Sequence, residues 1–129
     1  MIKINPMSNE PIYEQIIRQY KYLVMREYLK PGDAVLSVRK LALSLSVTPG
    51  TVAKAYQELE RTGIIETIRG KGTFIARQLK TEPKWETVSK YRQQFKVPCM
   101  ELLYLGFEKK EIMEMVEEIC SEIQRGEFV

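Results

Sequence analysis

The sequence predicts a small, mainly α protein with one β-hairpin, in which residues 1–78 form one domain and residues 79–129 a helical tail. The 129 residues suffice for a domain with an appendage, but not for a barrel enzyme or a doubly wound nucleotide-binding fold. Apolar residues recur at helical spacing in five segments, and two β-branched segments flank a glycine-containing loop. A polar stretch with a proline, residues 79–84, marks the boundary between the two parts.

The first helix is predicted over residues 11–29. Ser8 or Asn9 is expected to cap it, Pro11 suits its first turn, and Pro31-Gly32-Asp33 ends it. Its apolar side chains are interpreted as core: Ile12, Tyr13, Ile16, Ile17, Tyr20, Leu23, Val24 and Tyr28.

Two shorter helices are predicted next, over residues 37–45 and 49–61. Ser37 is a good N-cap for the first of them, and Thr48 is the N-cap candidate for the other. Gly63 suits a left-handed C-terminal cap. One face of the third helix carries two cations, an amide and a bare glycine, but no acid: Gly50, Lys54, Gln57 and Arg61.

A β-hairpin is predicted after the third helix. Residues 64–68 and 73–76 are its β-branched segments, and the loop between them is Arg69-Gly70-Lys71-Gly72. The loop is basic, and its glycines permit a positive φ and a close approach of the backbone to a partner.

The tail is predicted to form two helices, over residues 84–105 and 108–124. Pro98 is expected to kink or break the first, because proline has no N–H and clashes with the preceding turn. The second has one apolar face, and glutamates cover much of the rest. Cys99 and Cys120 are interpreted as small buried hydrophobic residues.

The formal net charge of +3 conceals two parts of opposite sign. Residues 1–80 hold 13 Lys or Arg and 7 Asp or Glu, a net of +6, whereas residues 81–129 hold 7 and 10, a net of −3. The basic part is expected to meet a polyanion, and ordinary solvated surface charge is the alternative.

The residue types that are absent exclude several classes of function. Histidine is missing, which removes the commonest general base and metal ligand, and the two cysteines form no CxxC pair. The N-terminus lacks the apolar run of a signal peptide, and no stretch has the roughly 20 apolar residues of a membrane span. We therefore expect no enzyme, no metal, no cofactor, no membrane partner and a reducing, cytoplasmic setting.

Three short helices followed by a basic hairpin are the order of a winged helix-turn-helix. A helix can enter the major groove of DNA if its exposed face lacks acids and its first turns are slim, as in the third helix here. The free N–H groups that open the second and third helices suit phosphates, and Arg39 is placed to clamp another. The hairpin tip is expected to lie along the DNA backbone or to reach the minor groove.

Five motifs stand in a specific order within residues 10–77: Pro31-Gly32-Asp33, the segment SVRKLA at 37–42, the segment VTPGTVAKAYQELE at 47–60, Gly63-Ile64-Ile65 and Gly70-Lys71-Gly72-Thr73-Phe74. Together they resemble the GntR family of bacterial transcription regulators, and the short tail resembles its YtrA-like branch. The resemblance implies a DNA-binding function and a winged helix-turn-helix.

The resemblance also implies roles for individual residues. In that family the Ser-x-Arg start of the second helix, the polar opening of the recognition helix and the Gly-x-Gly wing tip contact DNA. Many relatives have arginines where Pro49 and Ala53 stand, so Lys54 is expected to take over part of the base reading. The candidate DNA-binding residues are Ser37, Arg39, Thr48, Gly50, Thr51, Lys54, Arg69, Gly70, Lys71, Gly72 and Thr73.

The tail resembles the dimerisation module of that branch. Two helices cannot bury an apolar stripe alone, whereas pairing with a second copy would bury it. The alternative is that the tail folds back on its own wing domain. The candidate interface residues are Phe95, Leu103, Leu105, Phe107, Ile112, Met115, Val116, Ile119 and Ile123.

The leading hypothesis is a sequence-specific transcriptional repressor that binds a partly palindromic operator in double-stranded DNA as a homodimer. The resemblance implies control of a transporter operon. The alternatives are a winged helix used as a protein-interaction module and a nonspecific architectural DNA binder. The sequence identifies neither the operator nor a small-molecule effector.

Overall fold

The computed structural model describes residues 1–79 and 84–127, and the chain divides into two compact units, Met1–Lys80 and Thr81–Val129. The first unit contains α1 (Ile12–Met25), β1 (Ala34–Val35), α2 (Val38–Leu45), α3 (Pro49–Arg61), β2 (Ile65–Ile68) and β3 (Gly72–Ile75). The second contains α4 (Trp85–Tyr104) and α5 (Lys109–Gln124). The predicted fold class, a winged helix-turn-helix followed by two helices, is confirmed. Within the described ranges, no helix has the length and apolar character needed to cross a bilayer.

The core of the first unit lies where the three helices meet the sheet. α3 supplies four buried side chains from one face, and apolar residues of α1 and α2 pack against them. The opposite faces of α2 and α3 are therefore left toward solvent. Tyr28, which was interpreted as core, lies beyond α1 and is exposed. The buried hydrophobic residues are Ile16, Tyr20, Leu23, Leu41, Ala42, Val52, Ala55, Tyr56, Leu59, Ile65, Ile75 and Ala76.

The sheet has one strand more than the predicted hairpin. β3 is the central strand and pairs antiparallel with β2 on one side and with β1 on the other. Just before β1, the Gly32 N–H donates to the Ile75 carbonyl (2.9 Å), and the Ile75 N–H donates to the Asp33 carbonyl (2.8 Å). β1 thus attaches the segment that leads into α2 to the hairpin.

The start of α1 is fixed by a glutamine rather than by a capping serine or asparagine. Pro11 is the N-cap and no side chain caps the helix, so the expectation for Ser8 or Asn9 is wrong. The buried Gln15 amide accepts from the Asn5 N–H (2.7 Å) and donates to the Asn5 carbonyl (3.0 Å). These bonds hold the N-terminal segment against the helix.

The end of α1 comes at Met25, four residues before the predicted end. Glu27 has a left-handed φ of 59°. The N–H groups of Tyr28 and Leu29 both donate to the Leu23 carbonyl, at 2.9 and 3.1 Å. The chain therefore turns back on the last helical turn, where Leu29 packs against the core.

The second unit differs from the sequence-based predictions at Pro98 and at both cysteines. α4 runs as one helix through Pro98, so the proline does not break it. Cys99 is only half-buried and Cys120 is exposed, so neither is the buried hydrophobic residue that was expected. Both differences have one physical reason. Among the described residues of this unit none is buried, so water can satisfy the carbonyl whose partner Pro98 removes, and there is no interior to enclose a cysteine.

Candidate nucleic-acid interface

The start of α2 presents a hydroxyl and a cation side by side. Ser37 is the N-cap, as predicted, and its Oγ accepts a hydrogen bond from the Lys40 N–H (3.2 Å). The hydroxyl hydrogen of Ser37 is still able to donate to a phosphate. Arg39 lies in the first turn and is exposed. A positive helix end, a hydroxyl donor and a guanidinium therefore share this corner.

The start of α3 is slim and its side chains leave the backbone uncapped. Thr48 occupies the N-cap position, but its side chain makes no capping bond and instead lies 3.0 Å from the Thr51 hydroxyl, oxygen to oxygen. A Cβ added at Gly50 would meet nothing within 4 Å. The first turn of α3 thus combines small hydroxyls, a bare glycine and backbone donors, the surface that a phosphate or a groove edge requires.

The two cations on the exposed face of α3 have different partners. The Arg61 guanidinium binds both carboxylate oxygens of Glu58, with Nε 2.9 Å from Oε2, and this bond lowers the pKa of Glu58. The Lys54 ammonium instead lies over the ring of Tyr13, 3.9 Å from its centre. On this face, Arg61 is therefore paired with a carboxylate, whereas the Lys54 ammonium lies against an aromatic ring.

The wing has a short, basic and tightly turned tip. Ile68 pairs with Gly72 in the β2–β3 register, and the Lys71 N–H donates to the Ile68 carbonyl (2.9 Å). Gly70 and Gly72 have φ values of 80° and 125°, which favour glycine as the sequence predicted. Arg69 and Lys71 are exposed on either side of this turn.

A side-chain hydrogen bond joins β2 of the wing, the β2–β3 hairpin, to the C-terminal half of α3. The Thr67 hydroxyl in β2 donates to the Glu60 carboxylate, at 2.6 Å. The bond joins two exposed side chains, and it adds to the packing of buried Ile65 in β2 against α3. The wing and the recognition helix are therefore parts of one unit.

A pair of tyrosines fixes the start of α2 relative to α3. The Tyr56 hydroxyl donates to the Leu36 carbonyl (2.6 Å), and the Tyr20 and Tyr56 hydroxyl oxygens are 2.7 Å apart. The two rings meet edge to face, with centres 5.7 Å apart. Burial raises the pKa of both phenols, so both stay protonated at neutral pH. Because Leu36 precedes Ser37 directly, these bonds fix the position of the start of α2, where Ser37 and Arg39 lie.

Tyr56→Phe is expected to lower the free energy of unfolding by about 1–3 kcal/mol, because it leaves the Leu36 carbonyl without its donor. The measurement is chemical denaturation followed by circular dichroism. Tyr20→Phe is the matched control, since it removes the hydroxyl that does not contact Leu36 and keeps the bond from Tyr56 to the Leu36 carbonyl. A loss for Tyr20→Phe as large as that for Tyr56→Phe would contradict this role of the carbonyl.

All eleven sequence-predicted DNA residues are accessible in the first unit. Nine are exposed, and Thr51 and Thr73 are half-buried. They fall on the starts of α2 and α3 and on the wing, which the core and the sheet hold together. Sequence reasoning missed Tyr13 and the Tyr20–Tyr56 pair, because an aromatic residue at helical spacing reads as core. The nine exposed residues are Ser37, Arg39, Thr48, Gly50, Lys54, Arg69, Gly70, Lys71 and Gly72.

The second unit exposes the apolar stripe that the sequence predicted as an interface. Leu105 is 68% exposed and Ile119 is 51% exposed, although both are large aliphatic residues. Three members of the stripe are half-buried: Phe107, Ile112 and Met115. The other members are exposed: Phe95, Leu103, Val116 and Ile123.

Comparisons with known proteins give consistent matches. A family model described as bacterial regulatory proteins, gntR family, matches residues 12–75, a range that contains all eleven candidate DNA residues. The HTH-type transcriptional repressor YtrA of Bacillus subtilis is 44% identical over 126 residues, covering 98% of this chain and 97% of that protein.

Two solved structures extend the comparison. A structure titled transcriptional antiterminator, from Listeria monocytogenes EGD-e, has a TM-score of 0.84 and 40% identity, and the match covers 100% of this chain and 96% of that one. YtrA from Sulfolobus acidocaldarius, titled a GntR-family transcription factor, has a TM-score of 0.54 and 32% identity, over 95% of this chain and 98% of that one. The names of all these matches describe regulators of transcription and none describes an enzyme.

Proposed function

This chain belongs to the gntR family of bacterial regulatory proteins and is a DNA-binding transcriptional regulator, and from that premise we propose that it is a sequence-specific repressor acting as a homodimer on a partly palindromic operator. The observation that carries the proposal is the exposed start of α3. Gly50 keeps it slim, and Lys54, one turn further along the same face, carries an ammonium that lies against a ring rather than a carboxylate. The name of the Bacillus subtilis relative, a repressor, supports the direction of regulation.

In this proposal the three parts of the interface have different tasks. α3 enters the major groove, where Thr48, Thr51 and Lys54 meet base edges. Ser37 and Arg39 at the start of α2 bind phosphate and a neighbouring base edge. The wing tip, from Arg69 to Thr73, follows the backbone or enters the minor groove. Contacts to phosphate supply affinity, and contacts to bases supply sequence preference.

The proposal assigns residues 1–78 to DNA binding and residues 79–129 to dimerisation. The second unit has no buried residue in its described part, yet it exposes a stripe of large aliphatic side chains. Such a face is stabilised when a second copy covers it, in an arrangement where each chain contacts the same patch on the other. Two readers related by such a symmetry fit inverted half-sites about 10 base pairs apart.

We also propose a cytoplasmic location and, as the resemblance to the YtrA-like branch implies, control of a transporter operon. The position of the operator in a genome would test the second of these, because it identifies the regulated genes. No effector is assigned.

Salt-dependent binding is expected to separate the roles of the cations. Selection from random DNA yields a preferred duplex, the selected duplex. Wild type and variants are titrated with it at several salt concentrations. Arg39→Ala and Lys54→Ala are expected to weaken binding to the selected duplex more than to random duplex, by about 1–3 kcal/mol for a lost base contact. Lys71→Ala is expected to weaken both equally and to lower the salt slope by about one.

Lys110→Ala is the matched control for this series, since it removes an exposed lysine from α5 and leaves the first unit intact. It should bind like wild type. Wild-type binding equal on selected and random duplex would favour the nonspecific architectural alternative. Failure of the wild type to bind any duplex would favour the protein-interaction alternative.

A further inference from the structure

The ring of Tyr13 lies against a lysine that is proposed to read bases. The Lys54 ammonium is 3.9 Å from the centre of that ring, well within the roughly 6 Å over which a cation and an aromatic face attract each other. Tyr13 belongs to the first turn of α1 and Lys54 to α3, so this is a contact between helices. The sequence pattern had assigned Tyr13 to the core only.

The acid one turn from Lys54 on α3 is already paired with Arg61. Glu58 lies one turn further along α3, the usual spacing for an ion pair with a lysine, but Arg61 holds both its oxygens. Glu14 accepts the Tyr13 hydroxyl (3.1 Å), and this bond raises the pKa of Tyr13. The phenol is therefore neutral at physiological pH, and its ring face is available to a cation.

The position of this contact matters for DNA. Gly50 precedes Lys54 by one turn on the same face of α3, and open space surrounds it. A ligand at the start of α3 therefore lies one helical turn from the exposed Lys54 side chain, on the same face. Lysine is long and flexible, and ordering such a side chain on binding costs affinity. A ring that already restrains the ammonium reduces that cost.

We propose that Tyr13 is a positioning residue for DNA recognition. Its ring holds the Lys54 ammonium at the exposed face of α3 before and during DNA binding. The inference rests on the proposed DNA binding and adds the start of α1 to the surface that determines sequence preference. The aromatic face is the required feature, and the hydroxyl is not.

The test combines a DNA-free measurement with a double-mutant cycle. By NMR, the Lys54 ε-methylene protons should show an upfield ring-current shift in wild type and in Tyr13→Phe, and should lose it in Tyr13→Leu. By fluorescence anisotropy on the selected duplex, Tyr13→Leu should weaken binding about two- to fivefold, whereas Tyr13→Phe binds like wild type. In the Lys54→Ala background, Tyr13→Leu should cause no further loss.

Each arm has a result that overturns the inference. For the NMR arm, it is an upfield shift that is absent in wild type or that persists in Tyr13→Leu. For the binding arm, three results would overturn it. Tyr13→Leu could lose as much affinity in the Lys54→Ala background as in wild type, Tyr13→Phe could lose as much affinity as Tyr13→Leu, or Tyr13→Leu could bind more tightly than wild type. Thermal unfolding of all variants identifies any that fail to fold, and Tyr13→Phe then carries the comparison through its NMR shift. Failure of the proposed function looks different, because wild type itself would then show no preference for the selected duplex.

Discussion

Gly50→Glu is expected to reduce binding to the selected duplex by roughly 100-fold or more while leaving the fold intact or slightly more stable. In the proposed complex, a carboxylate at the slim start of α3 would face phosphates and base edges, and like charges brought together at an interface cost several kcal/mol. The same substitution suits the helix. Open space surrounds the added Cβ, glutamate is a better helix former than glycine, and an acid in the first turn complements the helix dipole.

The opposite signs of these two effects make the experiment informative. Gly50→Gln has a side chain of nearly equal size without the charge, so the difference between the two variants isolates electrostatic repulsion from steric exclusion. Affinity is measured by fluorescence anisotropy and stability by thermal unfolding. Near-wild-type affinity for a stable Gly50→Glu variant would show that the start of α3 does not face DNA.

Ile119→Asp is expected to convert the proposed dimer to a monomer and to lower affinity for the selected duplex by about 100-fold or more. Ile119 lies in the middle of the exposed stripe of α5. In the proposed dimer a carboxylate at this position would be buried among apolar side chains, which is costly. Each monomer would retain its DNA-binding unit but would lose the gain of engaging two half-sites together, which is commonly 10²- to 10⁴-fold. Native mass spectrometry reports the oligomeric state, and anisotropy reports the affinity.

The matched control is Ser121→Asp, which adds the same charge to α5 beside the glutamates of its polar face. This variant should remain dimeric and bind DNA like wild type. Intact dimers of Ile119→Asp, or equal dissociation of both variants, would contradict the assignment of the stripe as the contact surface.

Local chemistry explains which elements the sequence could predict. The bounds of α3 match the prediction, because a threonine and a proline start the helix and a glycine follows its end. β1 was missed because its two residues carry no alternation, and its pairing with β3 involves residues far along the chain. Pro98 predicts a kink or a break, but α4 is not broken there, because water around the exposed helix can satisfy the carbonyl that proline leaves unpaired.

The candidate DNA-binding surface could be predicted where it depends on residue type, but not where it depends on how the helices pack. Serine, threonine, glycine and basic residues at helix starts and in a hairpin tip indicate nucleic acid directly. No spacing rule connects Tyr13 with Lys54, or Tyr56 with the Leu36 carbonyl, because these contacts exist only after α1, α2 and α3 have packed. Likewise, the face of α3 was predicted to carry two cations without an acid, but an acid beside that face neutralises Arg61.

Selection of DNA from a random pool by the wild-type chain tests the central claim most directly. The expected result is convergence on one sequence made of two inverted half-sites, about 10 base pairs from centre to centre, with two chains bound to each duplex. A pool that stays random although the chain retains DNA would contradict sequence-specific recognition. Convergence on a single, unrepeated half-site bound by one chain would contradict the dimeric arrangement.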